Sequence, residues 1–488
     1  MHHHDTLFIG GRYIPPDGPH ATIEVVNPAD ESPVGSFPAA TPADVDHAVA
    51  AARRALDDPA WGGLGPVERA ALLIRFADAL EANLAERATL TTLQNGMPIG
   101  LALDAEGAGP VGLLRYYAAL AGAVLAEETR PRLDGNGHTV VTRDPVGVVA
   151  AVVPWNFPQT LTMFKLAPAL AAGCTVVLKP APETTLDAYA LADAALIAGL
   201  PPGVLGVVPG GADVGELLVA HPGVDKVAFT GSTAAGRRIG EVCGKLLRPA
   251  SLELGGKSAA ILLDDADLEV FAGRVAAVSL LNNGQTCHLS TRILVPRARH
   301  DAVADAVGAV AASLVVGDPM DPATGLGPLV SRLQRDRVEA HIAAAKAAGT
   351  TVVTGGGAPP RDRGWFVAPT VFADVDNSAP LAREEIFGPV LAVIPYDDTD
   401  EAVRLANDSP YGLAGTVWTR DPERGLAVAR RVRTGTIGVN DYSIDAGAPF
   451  GGVKASGIGR ELGPEGLAAF TVAKSVYLSA IAEPPTRT

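Results

Sequence analysis

From Val146 onward the chain alternates short unbroken apolar runs with Ala- and Leu-rich helical stretches, and no other feature limits the possible folds as much. The runs 146–153, 174–178, 203–208, 225–229 and 258–263 each have the length of one strand. An unbroken apolar run, unlike an alternating one, suits a strand covered on both faces. Between the runs, helical texture occupies about 160–171, 185–198, 212–220 and 232–245. This order predicts an α/β fold with a doubly wound parallel sheet, in which right-handed crossovers set helices on both faces and ligands bind beyond the C-terminal strand ends. A strand at 291–295 followed by a helix at 300–314 predicts a second α/β domain. Upstream, amphipathic patterns predict helices at about 42–56 and 66–93. The segment 127–145, with Gly135-Asn136-Gly137 between polar extended stretches, reads as an exposed hairpin whose edges need cover.

A length of 488 residues is enough for two or three such domains. With 48% hydrophobic and 19% charged residues the bulk of the chain is not a disordered polymer. The net charge of −15 repels nucleic acid and anionic membrane, so neither is an expected partner. The longest apolar runs, such as Leu166 to Leu178, are broken by Pro, Gly and Thr and fall short of the ~18 residues a membrane span needs. Met1–His4 has no basic or apolar signal region, and its three histidines resemble an expression remnant. The three cysteines, Cys174, Cys243 and Cys287, are widely spaced and odd in number. They suggest neither a disulfide framework nor a metal cluster, and a reducing, cytoplasmic setting is expected.

Glycine-rich nucleotide signatures fail when tested residue by residue. Gly255-Gly256-Lys257-Ser258 looks like the end of a P-loop, but Ser251 stands where its first glycine belongs. Gly457-Ile458-Gly459 begins a dinucleotide fingerprint that Leu462 breaks. A strand at 225–229 does run into Thr230-Gly231-Ser232 and a helix. That arrangement suits either phosphate binding at free helix amides or a plain capped helix start.

Three residues carry chemical interest. Cys287 lies in the polar stretch Asn283-Gly284-Gln285-Thr286-Cys287-His288, a setting for a thiolate nucleophile, although a lone cysteine is often core. His288 beside it reads as a surface or helix-terminal histidine, because sequence neighbours rarely face one another. Glu253 sits between leucines, where burial would raise its pKa toward a general base, or it is an ordinary strand-edge carboxylate. Asn156, in Pro154-Trp155-Asn156-Phe157-Pro158 just after a predicted strand, is placed as an oxyanion donor or as a turn asparagine.

Six segments in order then resemble the aldehyde dehydrogenase superfamily across nearly the full chain: Pro154–Pro158, Phe229-Thr230-Gly231-Ser232, Glu253–Lys257, Gly284–Cys287, Glu385-Ile386-Phe387-Gly388-Pro389 and Pro449-Phe450-Gly451-Gly452. The resemblance implies an NAD(P)-dependent enzyme oxidising an aldehyde to a carboxylic acid, with NAD as cofactor and NADP possible. It implies Cys287 as the nucleophile that forms a thiohemiacetal and then a thioester, Asn156 with the Cys287 amide as oxyanion donors, and Glu253 as the base that activates water. Glu253 also sets the chain apart from relatives that pass the acyl group to coenzyme A. For the cofactor it implies Lys179 and Glu385 at the two riboses, Phe387 at the nicotinamide, and Trp155, Gly231 and Ser232 near the ribose and pyrophosphate. Phe157, Phe164 and Tyr442 match the substrate tunnel, implying an aromatic or aliphatic aldehyde. One departure concerns the nucleotide: the acid that many NAD-using relatives carry three residues after the lysine is Pro182 here, with the carboxylate displaced to Glu183.

The resemblance further implies a homodimer or homotetramer joined through the hairpin and a C-terminal strand. The expected division is a cofactor-binding domain at 5–126 and 146–254, a catalytic domain at 255–455, and an oligomerisation segment at 127–145 and 471–488. Two other readings use the same residues: a cofactor-independent esterase acting through Cys287, and a non-catalytic structural relative.

Overall fold

The computed structural model of the chain describes residues 1–358 and 361–479. Five of the predicted runs become strands, at Val148–Val152, Thr175–Lys179, Leu205–Val207, Lys226–Thr230 and Ala259–Leu262. Every residue in them is buried, as unbroken apolar runs require.

The first sheet has eight strands in the order Gly457–Ile458, Ala250–Glu253, Lys226–Thr230, Val148–Val152, Thr175–Lys179, Leu205–Val207, Leu7–Ile9 and Arg12–Ile14. Its five inner strands run parallel, while the outer ones pair antiparallel. The chain builds outward from Val148–Val152 in one direction, then returns to place Lys226–Thr230 on that strand's other side. Strand order therefore reverses between these two neighbours, and a crevice opens beyond their C-terminal ends.

The run at 258–263 does not extend this sheet. Ala259–Leu262 instead lies inside a second, seven-stranded sheet, between Arg292–Pro296 and Gly415–Trp418. The short passage Leu254-Gly255-Gly256 thus carries the chain from one sheet to the other. A third sheet of three strands joins Glu128–Pro131 and His138–Pro145, the predicted hairpin, to Thr471–Leu478. Of the predicted C-terminal segment, 480–488 lies outside the described residues.

One helix prediction needs correcting. The stretch 66–93 is two helices, Pro66–Ala82 and Leu84–Asn95, broken at Asn83 where φ is −116° and ψ is 23°. Apolar periodicity continues through Asn83, so the break left no trace in the hydrophobic pattern.

Candidate active site

The crevice collects residues from six segments, five of which carry residues singled out from sequence. Pro154, Trp155 and Asn156 follow the strand Val148–Val152, Thr230, Gly231 and Ser232 follow its neighbour, Glu253 to Gly255 leave the first sheet, and Cys287 and Glu385 to Phe387 come from the second. They line one cleft of about 260 Å³. Eight of the residues singled out from sequence are among them: Trp155, Asn156, Gly231, Ser232, Glu253, Cys287, Glu385 and Phe387.

Backbone geometry fixes the cysteine. Ahead of it the chain passes through three consecutive left-handed residues, Asn282 (φ 51°), Asn283 (φ 62°) and Gly284 (φ 79°). Asparagine tolerates this region better than most residues because its short amide can bond locally. Asn283 donates to the carbonyls of Gly96 and Pro328 at 2.9 Å and accepts from the amide of Gly327 at 2.6 Å. Gln285 accepts from the amide of Val330 at 3.0 Å. At Gly284 a Cβ would stand 2.2 Å from the carbonyl carbon of Gly388, so the two backbones meet where only glycine fits.

Asn156 is held as firmly. Its backbone carbonyl accepts from Asn282 at 2.8 Å, and its side-chain amide donates to the carbonyl of Gln285 at 3.0 Å. That amide carries two hydrogens, so one is left for a ligand oxygen beside Cys287. Cys287 is half-buried, and burial pushes its thiol well up, with the nearby charges of Glu385 and Glu253 adding to the effect.

Glu253 ends its strand with both carboxylate oxygens buried and without a hydrogen-bond partner among the described residues. Burial raises its proton affinity well above that of an ordinary glutamate; Glu461 raises it further, while Lys165 and Arg460 oppose. The side chain lies against Gly451, where a Cβ would come within 2.5 Å of Oε1. Lys165 and Glu461, which sequence reading missed, form a fully buried ion pair at 2.7 Å. A lone lysine inside the apolar helix Pro158–Ala172 was the available signal.

The remaining surfaces suit a dinucleotide. Lys179 is buried, has no hydrogen-bond partner among the described residues, and is pushed down to about 8 by burial against the pull of Glu183 and Asp213. Such an unpartnered ammonium suits a ribose hydroxyl, although Lys179 does not line the cleft around Cys287. Ser232 caps the helix Thr233–Lys245, accepting from the amide of Ala235 at 3.2 Å, and the positive end of that helix faces the crevice. Glu385 accepts from the amide of Gly256 at 3.0 Å, and burial raises it to about 7. Phe387 is held at φ 59°, with its ring 5.3 Å from that of Trp155 and edge-on to it at 84°. Gln334, Arg337 and His341 complete the wall from one face of the helix Arg332–Ala347. Their spacing, one face of a helix, is visible in the sequence only once the helix is known to border the cleft.

The three aromatic positions do not line this cleft. Phe164 is buried 6.3 Å from the ring of Phe450, and Phe157 and Tyr442 pack with Cys287 against the same apolar cluster. His288 is half-buried and lies in a turn, not at a helix end. Its ring packs 4.9 Å from that of Tyr442, and burial lowers it to about 4, leaving a neutral imidazole. Among the described residues no helix is long and apolar enough to cross a membrane.

Comparison with known proteins shows the family and the fold. The model of the aldehyde dehydrogenase family matches residues 13–476. Geranial dehydrogenase of Castellaniella defragrans is 54% identical over 475 residues, covering 97% of this chain and 99% of the relative. The crystal structure of a Mycobacterium tuberculosis aldehyde dehydrogenase complexed with NAD+ superposes with a TM-score of 0.96 at 47% identity, covering 99% of each chain. A mutant aldehyde dehydrogenase from Pseudomonas syringae, complexed with NAD+ and octanal, gives 0.93 at 38% identity, covering 97% of this chain and 96% of that one.

Proposed function

The chain belongs to the aldehyde dehydrogenase family, and on that footing we propose that it oxidises an apolar aldehyde to the carboxylic acid with NAD, through a thioester on Cys287. The observation that carries this reading is the meeting of Cys287, Asn156 and Glu253 at one cleft whose other walls fit a dinucleotide.

The thiol of Cys287 gives its proton to solvent as Sγ adds to the aldehyde carbon, and the carbonyl oxygen takes the negative charge. The free N–H of Asn156 and the backbone amide of Cys287 donate to that oxygen, stabilising the charge where it develops. A dinucleotide held by those walls would supply the hydride acceptor. Loss of hydride from the thiohemiacetal on Cys287 leaves a thioester. Glu253 then takes a proton from water, whose oxygen attacks the thioester carbon; the acid leaves and the thiolate of Cys287 returns. Burial serves Glu253 here, because a carboxylate with raised proton affinity is a stronger base.

Lys179 and Glu385 would hold the two riboses, Trp155, Gly231 and Ser232 would lie near the ribose and pyrophosphate, and Phe387 would pack at the nicotinamide. An apolar substrate is supported by Phe157, Phe164 and Tyr442, which belong to or pack against the same apolar core that Cys287 meets. The relative named for geranial and the neighbour holding octanal point the same way. We also assign the three-stranded sheet to self-association, since Val472, Val476, Tyr477 and Leu478 expose apolar surface on it. The division into domains at 5–126 with 146–254 and at 255–455 belongs to the same proposal.

A panel of aldehydes assayed with NAD and with NADP, following reduced nicotinamide, tests the reading. Ester hydrolysis without cofactor reduction by any aldehyde would overturn it in favour of an esterase.

A further inference from the structure

The helix Pro158–Ala172 begins two residues after Asn156, and its start is unusual. Its N-cap position is Phe157, which offers no side-chain oxygen, and its first residue is a proline. The free amides of a helix start are normally taken by a Ser, Thr, Asp or Asn at the cap. Here a carboxylate from another element takes them. Oε2 of Glu106 accepts from the amide of Gln159 at 2.7 Å and Oε1 from that of Thr160 at 3.4 Å.

Glu106 is fully buried and sits in a single π-helical turn, Leu103–Ala108. Such a turn widens the helix and disturbs its regular hydrogen bonding, and side chains bind the carbonyls of this one. The hydroxyl of Thr160 donates to the carbonyl of Ala105. Arg87 donates to those of Glu106 at 2.9 Å and Gly107 at 2.8 Å. Arg87 also donates to the side chain of Gln159, whose own amide donates to Thr91 at 2.9 Å and Asp187 at 3.2 Å. The first turn after Asn156 is thus clamped through both its backbone and its side chains. Because the cap comes from outside, the cap position is free for Phe157, whose ring packs against the apolar core.

We infer that Glu106 is a positioning residue for the reaction, fixing the turn Asn156-Phe157 from behind so that Asn156 aims its amide at the oxygen bound beside Cys287. This rests on Asn156 being the oxyanion donor proposed above. The clamp acts on the aldehyde half of the site and leaves Lys179 and Glu385 untouched.

A double-mutant cycle of Glu106→Ala and Asn156→Ala on the full enzyme tests it, with Glu106→Gln as the milder partner that keeps one accepting oxygen. Asn156→Ala should lower kcat by roughly 10²- to 10³-fold, as loss of an oxyanion donor does. Glu106→Ala should lower kcat by roughly 10- to 100-fold through misplacement, with KM for NAD changed less than about twofold, and Glu106→Gln should recover part of the loss. In the Asn156→Ala background the same Glu106 changes should cost less than about twofold, since residues acting as a unit are not additive. If Asn156→Ala leaves kcat intact, the oxyanion reading itself is wrong. If Asn156→Ala is crippled but the Glu106 variants lose the same factor in both backgrounds, or weaken NAD as much as they slow turnover, Glu106 only supports the fold and the inference falls. Should Glu106→Ala not accumulate as folded protein, the Glu106→Gln cycle decides alone by the same criteria.

Discussion

Lys165 donates a hydrogen bond to Glu461 at 2.7 Å inside the protein, although 296 residues separate them along the chain. The same ammonium donates to the hydroxyl of Thr230 at 2.6 Å. Both charges act on Glu253, and in opposite senses: Glu461 raises its proton affinity and Lys165 lowers it.

This pair should therefore shift the pH at which Glu253 works, on top of the larger effect of its burial. Glu253 must be unprotonated to accept a proton from water, so turnover rises with pH through its titration. Glu461→Gln removes the charge that raises Glu253 and should move the acid limb of kcat to lower pH. Lys165→Met removes the charge that lowers it and should move that limb to higher pH. Each variant also leaves one buried charge unpaired, a loss of about 3–5 kcal/mol in stability. The pH dependence of kcat for the two variants checks this; displacement in the same direction for both would show that other groups control Glu253.

Cys287 and Glu253 should separate the two halves of the reaction. Cys287→Ser is expected to abolish aldehyde oxidation while NAD still binds, because a serine alkoxide is far harder to form than a thiolate. Glu253→Gln is expected to lower steady-state turnover by roughly 10²- to 10⁴-fold while a first burst of reduced cofactor survives. Rapid-mixing measurements decide between them. Loss of the burst in Glu253→Gln would mean that Glu253 activates Cys287 rather than water.

The crowding at Gly284 predicts a local, strong sensitivity. Gly284→Ala would carry a Cβ at φ 79° into the backbone of Gly388, with a strain cost of about 1–3 kcal/mol before the overlap is counted. A lowered Tm and lost activity are expected together, because Cys287 is three residues away. Gly112, in the helix Gly109–Val124, has open space around the same position. Gly112→Ala should leave activity unchanged and hold or raise Tm, by up to about 1 kcal/mol in stability. Thermal melts of the two variants compare the sites; equal effects would show that Gly284 is not under backbone constraint.

What could be read in advance follows the range of the interactions involved. The buried strands were legible because burial on both faces demands unbroken apolar runs, as at Val148–Val152. Which sheet a run joins was not, since Ala259–Leu262 is as apolar as its predecessors and only the path through Gly255 and Gly256 sends it elsewhere. Asn156, Glu253 and Cys287 stood out as polar residues in short motifs. Lys165 with Glu461, and Glu106 with Gln159, did not, because each contact depends on segments far apart in sequence meeting in the interior. The partial cover of His288 was hidden for the same reason: the ring packed on it belongs to Tyr442, from a distant segment.

The last prediction concerns NAD against NADP, where Pro182 replaces the acid found in many NAD-using relatives. A carboxylate there would bind both ribose hydroxyls and repel a 2′-phosphate, and proline does neither, so selection against NADP is weakened. Acceptance of the phosphate nevertheless needs positive charge or free donors. Lys179 supplies one charge, but the neighbouring hydroxyls do not help: Thr185 donates to the carbonyl of Ala181 at 2.8 Å, and Thr184 is buried within the turn Pro182–Thr184. Glu183 lies close enough to Lys179 for the two charges to interact, and burial raises its proton affinity. In its ionised form Glu183 would offset the lysine and oppose a phosphate. NAD should therefore be preferred, with NADP accepted measurably, and Pro182→Glu should widen the gap by restoring the repelling carboxylate. Values of kcat/KM for both cofactors at one saturating aldehyde measure it. A tenfold advantage for NADP in the unaltered enzyme, about 1.4 kcal/mol, would reverse the assignment and show that Lys179 outweighs Glu183.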